Sequence, residues 1–175
     1  MERSYSKIIG TSVFNDSTRP ITTVKDLIID PETGKILAFV VNINKKLIIT
    51  PLDVLSWGES IKVHNGEAII NANEVLRVEN VLKNQIKVIS NKVYTKNDEY
   101  LGKVIDFSVD NKSYLLKSLY VAKGILGLLR YQSRIIPYKD IIEIKKDKII
   151  VKDVMKKIKE SEEEQSIRLE DAMVG

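Results

Sequence analysis

The sequence has no cysteine among its 175 residues and only one histidine, His64. Without cysteine there can be no disulfide, no thiolate nucleophile and no cysteine-ligated zinc or iron–sulfur site. No neighbouring imidazole or spaced acidic cluster accompanies His64 to complete another kind of metal site. We interpret this histidine as a partly exposed residue beside a turn, and we expect no bound metal or cofactor.

Glycine-rich motifs and long apolar runs are also missing. The eight glycines are scattered, and neither nucleotide-binding fingerprint occurs. No apolar run approaches the roughly 18 residues that a membrane-spanning helix needs, and the first seven residues do not lead into the apolar core of a signal peptide. These absences favour a cytoplasmic protein that acts on no small-molecule substrate.

Paired carboxylates are the remaining route to catalysis, and they recur as Asp26/Asp30 and Asp106/Asp110. Residues four apart on a strand share a face but stand about 13 Å apart, at roughly 3.3 Å per residue. That separation exceeds the roughly 5 to 9.5 Å of glycosidase carboxyl pairs. We therefore predict that Asp30 and Asp110 open turns, that Asp26 and Asp106 make local hydrogen bonds, and that the protein is not an enzyme.

What the sequence does contain is an internal repeat. Shifted by 80 positions, residues 13–41 lie over residues 93–121 without a gap, and the apolar positions coincide. The identical pairs are Val13/Val93, Val24/Val104, Asp26/Asp106, Asp30/Asp110 and Val41/Val121. Similarity at a fixed period indicates two copies of one structural unit. A unit of roughly 60 to 70 residues buries too little surface to be stable alone, so we expect the copies to pack together.

Turn-forming residues divide the first copy into short strands. Residues 30–34, Asp-Pro-Glu-Thr-Gly, predict a tight turn between strands at 24–29 and 36–43. A third strand should end at Pro51, which lacks the N–H that a ladder needs. Asn65-Gly66 predicts a two-residue hairpin turn between strands at 61–64 and 68–71. The copy should then close near Val78, with residues 79–85 as a short link.

The second copy repeats this plan with one insertion. Strands at 93–94, 101–110 and 115–121 match their counterparts, whereas residues 134–137 match the strand that ends at Pro51 with an offset of 86. The sequence therefore predicts six extra residues, which fall within 123–130. Short strands at 142–144 and 149–151 complete the unit.

Both copies resemble the PRC-barrel family over residues 10–152. The second carries Gly102-Lys103-Val104-Ile105-Asp106, followed by two strands and a later proline with an acidic residue after it; the first has the same frame, with Thr22 where the second has Gly102. The resemblance implies a compact barrel of about six strands per copy. It also implies a binding module without shared catalytic residues. The family includes the cytoplasmic domain of the photosynthetic reaction-centre H subunit, the C-terminal domain of a ribosome maturation factor and adaptor domains of archaeal cell-division proteins.

We therefore expect an all-β protein of two tandem PRC-like barrels packed together, at residues 8–82 and 86–152. Residues 153–175 should form a short C-terminal helix or a disordered charged tail. Asp153 can cap a helix, and Val154, Met155 and Ile158 recur at helical spacing.

The inserted loop is the candidate binding site. Leaving its four aliphatic side chains in water would forgo on the order of 6 to 12 kcal/mol. They either fill the contact between the barrels or extend a strand pair, or they form an apolar finger that docks a protein, a second subunit or a lipid surface. The candidate partner-binding residues are Lys123, Ile125, Leu126, Leu128, Leu129, Arg130 and Arg134.

Charge favours the second copy as the binding half. Residues 1–85 are balanced, whereas residues 86–151 carry 13 basic against 7 acidic side chains and residues 152–175 carry 5 against 7. A basic surface attracts an acidic protein, nucleic acid or anionic lipid, although lysines on solvated faces would give the same count. We predict a non-enzymatic adaptor that binds a protein partner, and a homo-oligomer stays open as an alternative.

Two alternative functions stay open at this point. The second copy interleaves tyrosines with lysine and arginine, an arrangement that can stack RNA bases and neutralise phosphates, although tyrosine is also a common strand residue. The chain could thus be an RNA- or ribosome-associated assembly factor. It could also be a peripheral membrane scaffold attached through the inserted loop. The tyrosines are Tyr94, Tyr100, Tyr114, Tyr120, Tyr131 and Tyr138.

Overall fold

In the computed structural model of the protein, residues 1–124 and 131–153 are described, and their regular structure is mostly β. Two short helices interrupt the strands: α1 (Tyr5–Ile8) and α2 (Leu76–Lys83). The strands of the first half are β1 (Glu2–Ser4), β2 (Ser12–Phe14), β3 (Thr22–Thr23), β4 (Asp26–Ile29), β5 (Ile36–Val40), β6 (Leu47–Ile49), β7 (Val54–Trp57), β8 (Ile61–Val63) and β9 (Ile70–Asn71). Those of the second half are β10 (Lys92–Thr95), β11 (Tyr100–Asp110), β12 (Leu116–Gly124), β13 (Tyr131–Pro137), β14 (Ile141–Ile144) and β15 (Lys148–Val151).

Both halves have the same strand order, which confirms the tandem repeat. The second half forms one sheet in the order β13-β12-β11-β10-β15-β14. In the first half, β6-β5-β4 and β3-β2-β8-β7 follow that order with the central strand divided in two. In each half one parallel pair joins the beginning of the unit to its end, through Val13 opposite Ile61 and Val93 opposite Ile149. The prediction of about six strands per copy is therefore confirmed.

The central strand is continuous in the second half and divided in the first. In the second half, Gly102 has a φ of +131°, and a Cβ there would lie 2.4 Å from the carbonyl oxygen of Ala122. Only glycine allows the two backbones to come this close, so β11 runs without interruption past its neighbour. The first half has Thr22 at this position, and its hydroxyl donates to the carbonyl of Val41 at 3.2 Å. The first-half strand runs from Thr22 to Thr23 as β3 and resumes at Asp26 as β4, so its break falls at residues 24–25, which correspond to the bulge between Val104 and Asp106 in β11.

The strand register corrects the size of the insertion. Phe39 pairs with Ile49 in the first half, and Leu119 pairs with Ile136 in the second. Phe39 and Leu119 differ by 80 positions, whereas Ile49 and Ile136 differ by 87. The insertion therefore has seven residues. The predicted offset of 86 was wrong because it aligned the two prolines, although Pro51 begins a 3-10 turn and Pro137 precedes the equivalent turn.

The predicted hairpin at Asn65-Gly66 was also wrong. Asn65 has a φ of −160° and its side chain accepts a hydrogen bond from the N–H of Glu67, so it caps a 3-10 turn. The chain then crosses to the other side of the barrel, where β9 pairs with β6 through Ile70 opposite Ile48. Residues 79–85 were predicted as a link, but residues 79–83 belong to the helix α2, which begins at Leu76.

Residues 1–12 carry structure that the sequence did not predict. Strand β1 pairs with the far end of β11, placing Arg3 opposite Val109 and Ser4 opposite Ser108. Helix α1 follows directly, and its Tyr5 ring lies 4.8 Å from the ring of Phe107. The N-terminal segment thus belongs to the sheet of the second barrel.

The two barrels share one hydrophobic core, which confirms that they pack together. Its fully buried members come from both halves and include Phe39, Ile49, Phe107 and Leu119. At the junction, the ring of Trp57 packs edge-on against Phe39 at 4.9 Å and tilted against Tyr114 at 5.5 Å. The proposed barrel boundaries at 8–82 and 86–152 stay a prediction, and the predicted helix or tail after Asp153 lies outside the described residues.

Candidate binding surfaces

The seven-residue insertion lengthens one hairpin of the second barrel. Strands β12 and β13 stay paired from Ser118 opposite Pro137 to Gly124 opposite Tyr131. The first barrel has no counterpart to the last three pairs, because the N–H of Val41 already donates to the carbonyl of Leu47 at 3.0 Å and closes that hairpin. Three pairs add about 10 Å to the ladder. We name residues 122–133 the long hairpin.

The long hairpin lies at the opposite end of β12 from the junction between barrels. At the junction end of β12, the N–H of Leu116 donates to the carbonyl of Gly34 in the first barrel, at 2.8 Å. The other end of β12 is Gly124, eight residues further along, which corresponds to roughly 26 Å in extended conformation. Five candidate residues, Ile125, Leu126, Leu128, Leu129 and Arg130, fall outside the described residues between Gly124 and Tyr131.

The other two candidate residues, Lys123 and Arg134, lie on neighbouring strands. Lys123 is held in place: its Nζ donates to the carbonyl of Tyr100 at 3.1 Å and lies 5.6 Å from the centre of that ring. A cation over an aromatic face is attracted by the ring quadrupole. The Tyr100 ring in turn packs 5.3 Å from Tyr94. Arg134 lies opposite Val121 in the register, with a half-buried side chain.

A second surface was missed in the sequence. On the outer face of the second barrel, Tyr120 of β12 pairs with Ile135 of β13 on one side and with Asp106 of β11 on the other. Ile105 forms a bulge next to Asp106. Ile105 is 60% exposed and Ile135 64% exposed. Alternation with the buried Leu119 and Ile136 was the available signal, since residues between core positions of a strand point outward. We name Ser118, Tyr120 and Ile135 the outer patch.

The four recurring aspartates take structural roles, as predicted. Asp26 and Asp106 each accept the N–H of the next residue at 2.8 Å. Asp30 accepts the N–H of Glu32 at 2.9 Å, and Asp110 accepts that of Ser113 at 2.8 Å, so both open turns.

Asp30 has an additional partner in Arg77 on α2. The guanidinium donates to both carboxylate oxygens, at 2.8 and 3.3 Å. Burial by itself would raise the pKa of Asp30, but the hydrogen bonds from Arg77, the Glu32 N–H and the Thr33 hydroxyl outweigh it and hold that pKa below its usual value. At Asp110 the Ser113 N–H is the largest cause of a lowered pKa, followed by the N-terminal amine.

The described residues contain no cluster of three or more histidine, aspartate or glutamate side chains that could hold a metal ion. His64 lies exposed on the surface. Neither of the helices in the described ranges 1–124 and 131–153 is long and apolar enough to cross a membrane.

Comparison with known proteins identifies the repeat unit. The family model of the PRC-barrel domain matches the chain twice, over residues 1–77 and 87–157. The two matches fall on the two halves that share a strand order. No curated protein matches the chain significantly.

Proposed function

The chain belongs to the PRC-barrel family, and from that premise we propose that it is a cytoplasmic, non-enzymatic adaptor that binds a protein partner through the long hairpin. The observation that carries the proposal is the insertion itself. Seven residues are added at one point of an otherwise repeated unit. They lengthen the paired ladder at the Gly124 end of β12, whereas the contact with Gly34 of the first barrel lies at the Leu116 end.

The described part of the long hairpin supports a role in binding. Lys123 is fixed over the Tyr100 ring, so its charge is presented without the entropy cost of a free lysine side chain. Aliphatic residues occupy positions 125, 126, 128 and 129 of the sequence. Apolar anchors beside a fixed cation form the centre and rim of a typical protein interface.

The absence of an enzymatic role is supported by the use that the fold makes of its carboxylates. Asp26, Asp30, Asp106 and Asp110 satisfy backbone N–H groups. A general acid or base must instead have an oxygen within reach of a substrate proton.

Pull-down from lysate tests the adaptor proposal. The bait is the full chain, and the test variant carries Leu126→Asp and Leu129→Asp. The matched control carries Ile43→Asp and Leu52→Asp, because these side chains are 91% and 93% exposed on the first barrel. We expect a protein that both the wild type and the control retain, that the test variant loses by at least tenfold, and that survives nuclease and raised salt. Retention by the test variant, or complete loss on nuclease treatment, would contradict the proposal.

RNA binding is the second candidate, favoured by one observation. Tyr94 and Tyr100 pack 5.3 Å apart with Lys123 over one ring, on the half that carries the excess of basic residues. Aromatic faces beside cations can stack bases and neutralise phosphates. Binding of a labelled single-stranded RNA at several salt concentrations distinguishes the two functions, because phosphate contacts make affinity fall steeply with salt.

A further inference from the structure

Helix α2 covers the outer face of the first barrel. Its Val78 and Val81 are buried against Val40 and Ile48 in a hydrophobic cluster that is separate from the shared core. Val40 and Ile48 are both fully buried, although they point away from the interior of the barrel. Ala38 completes the contact from the neighbouring position of β5. The first barrel therefore needs a helix outside its sheet to remove these side chains from water.

The outer patch of the second barrel is the equivalent surface. Ser118 and Tyr120 stand 80 positions after Ala38 and Val40, and Ile135 stands 87 positions after Ile48, in keeping with the register of the two sheets. Ile135 is 64% exposed where Ile48 is buried, and Ser118 and Tyr120 are half-buried where Ala38 and Val40 are fully buried. The patch is more polar than its counterpart, but it keeps an aromatic and an aliphatic side chain side by side.

A segment similar in sequence to α2 occurs at residues 167–173. Residues 76–82 read Leu-Arg-Val-Glu-Asn-Val-Leu, and residues 167–173 read Ile-Arg-Leu-Glu-Asp-Ala-Met. Arginine and glutamate are identical, and each of the other five positions keeps its character, four apolar and one amide or carboxylate. Positions 78, 81 and 82, which face the first barrel, correspond to Leu169, Ala172 and Met173.

The spacing along the chain is similar in both halves. Twelve residues separate Val63, the end of β8, from Leu76. Fifteen residues separate Val151, the end of the equivalent β15, from Ile167. The connection from β15 to residue 167 is thus three residues longer than the connection from β8 to α2, which is enough chain for residues 167–173 to reach the outer patch.

Charge is also complementary. In the first half Arg77 binds the carboxylate of Asp30, which opens the turn beside the covered sheet. Arg168 is the counterpart of Arg77, and Asp110 is the counterpart of Asp30. The Asp110 side chain keeps 22% of its surface exposed while it binds the N-terminal amine at 2.9 Å. A second cation at a carboxylate that is already ionised adds a favourable contact.

We propose that residues 167–173 of this chain dock on the outer patch of its own second barrel, in the way that α2 docks on the first. Leu169, Ala172 and Met173 cover Ser118, Tyr120 and Ile135, and Arg168 approaches Asp110. This inference is independent of the proposed adaptor function, which concerns the long hairpin at the end of the same strands.

Disulfide trapping in the full chain tests the docking, because the protein has no cysteine of its own. The test pair is Ser118→Cys with Ala172→Cys, both small changes. The control pair is Ile142→Cys with Ala172→Cys. Ile142 is 50% exposed on β14, next to the strand from which the C-terminal segment departs. An undocked segment would therefore reach Ile142 at least as readily as Ser118.

Under a mild oxidant we expect the test pair to form an intrachain disulfide about tenfold faster than the control pair, since docking raises the local concentration at one position only. Adding Leu169→Asp to the test pair should reduce its rate to that of the control. Equal rates for both pairs, or no effect of Leu169→Asp, would overturn the proposal. A disulfide-linked dimer in place of the intrachain product would also overturn it, by assigning the patch to a second copy.

Discussion

Lys35 and Leu115 occupy equivalent positions in the two repeats, and they pair with each other as an antiparallel bridge between the barrels. The N–H of Ile36 donates to the carbonyl of Tyr114, and the N–H of Leu116 donates to that of Gly34, both at 2.8 Å. Ile36 and Leu116 differ by 80 positions, as do Gly34 and Tyr114. The two hydrogen bonds are therefore equivalent, each barrel donating one and accepting one. This is the pattern of a two-fold symmetric dimer interface, here within a single chain.

This junction predicts that the two barrels unfold together. Trp57 is the only tryptophan, and it packs on Phe39 of its own barrel and on Tyr114 of the other. We expect its fluorescence and the far-ultraviolet circular dichroism to give superimposable urea unfolding curves with one midpoint. Two separated transitions would show that the barrels are independent.

Phe39→Ala should lower the free energy of unfolding by about 3 to 5 kcal/mol, measured by urea denaturation, because the side chain is fully buried in the shared core.

Gly34 couples the two barrels through a single turn. Its φ is +68°, and an added Cβ would lie 2.5 Å from the ring of Tyr138 in the second barrel. We expect Gly34→Ala to cost about 2 kcal/mol or more in urea denaturation, from backbone strain and displacement of the ring. Gly10→Ala is the matched control, because φ there is +87° with no atom within 4 Å. An equal loss in both variants would mean that the ring contact contributes nothing.

Gly102→Ala should destabilise the protein more than Gly34→Ala. The added Cβ would lie 2.4 Å from a carbonyl oxygen and 2.9 Å from the N of Lys123, which are backbone atoms that cannot rotate away. We expect a loss of about 3 kcal/mol or more, and faster amide hydrogen exchange in β12. If amide exchange in β12 keeps its wild-type rate and becomes faster only in β10, this explanation is contradicted.

Asp30 makes stability depend on pH in a defined direction. Its pKa is lowered in the folded protein, so the unfolded chain binds the proton more tightly. The stabilisation is complete above about pH 5 and is lost as the pH falls through the unfolded and then the folded pKa. Asp30→Asn should cost about 1 to 3 kcal/mol at pH 7 and flatten the stability profile below pH 5. Asp147→Asn, on an exposed residue, provides the control, and identical profiles for both variants would refute the assignment.

Local chemistry made much of the fold predictable. The turn at 30–34 is closed by Gly34 at a positive φ and by Asp30 bonded to the N–H of Glu32. Both devices lie within five residues of sequence. The strands at 101–110 and 115–121 alternate in the same way as their counterparts, so the repeat located them.

Features that depend on distant contacts were not predictable. Asn65-Gly66 reads as a hairpin turn, but β9 pairs with β6 and the Asn65 side chain caps a 3-10 turn instead. Strand β1 is three polar residues whose partners lie more than 100 positions away. At the candidate site, Lys123 was predicted as a partner-binding residue, but the carbonyl and ring that hold it belong to Tyr100 on another strand. Ile135 escaped notice because its exposure depends on what covers the sheet.

The position of β1 has a consequence for biosynthesis. Its hydrogen-bonding partners are residues 108–110, so during synthesis β1 cannot pair until about 100 further residues have been added to the chain. Until then, apolar side chains of the N-terminal segment that pack against the second barrel, such as Tyr5 and Ile8, stay exposed to solvent. The first barrel therefore completes its contacts only after strand β11 of the second barrel has been synthesised.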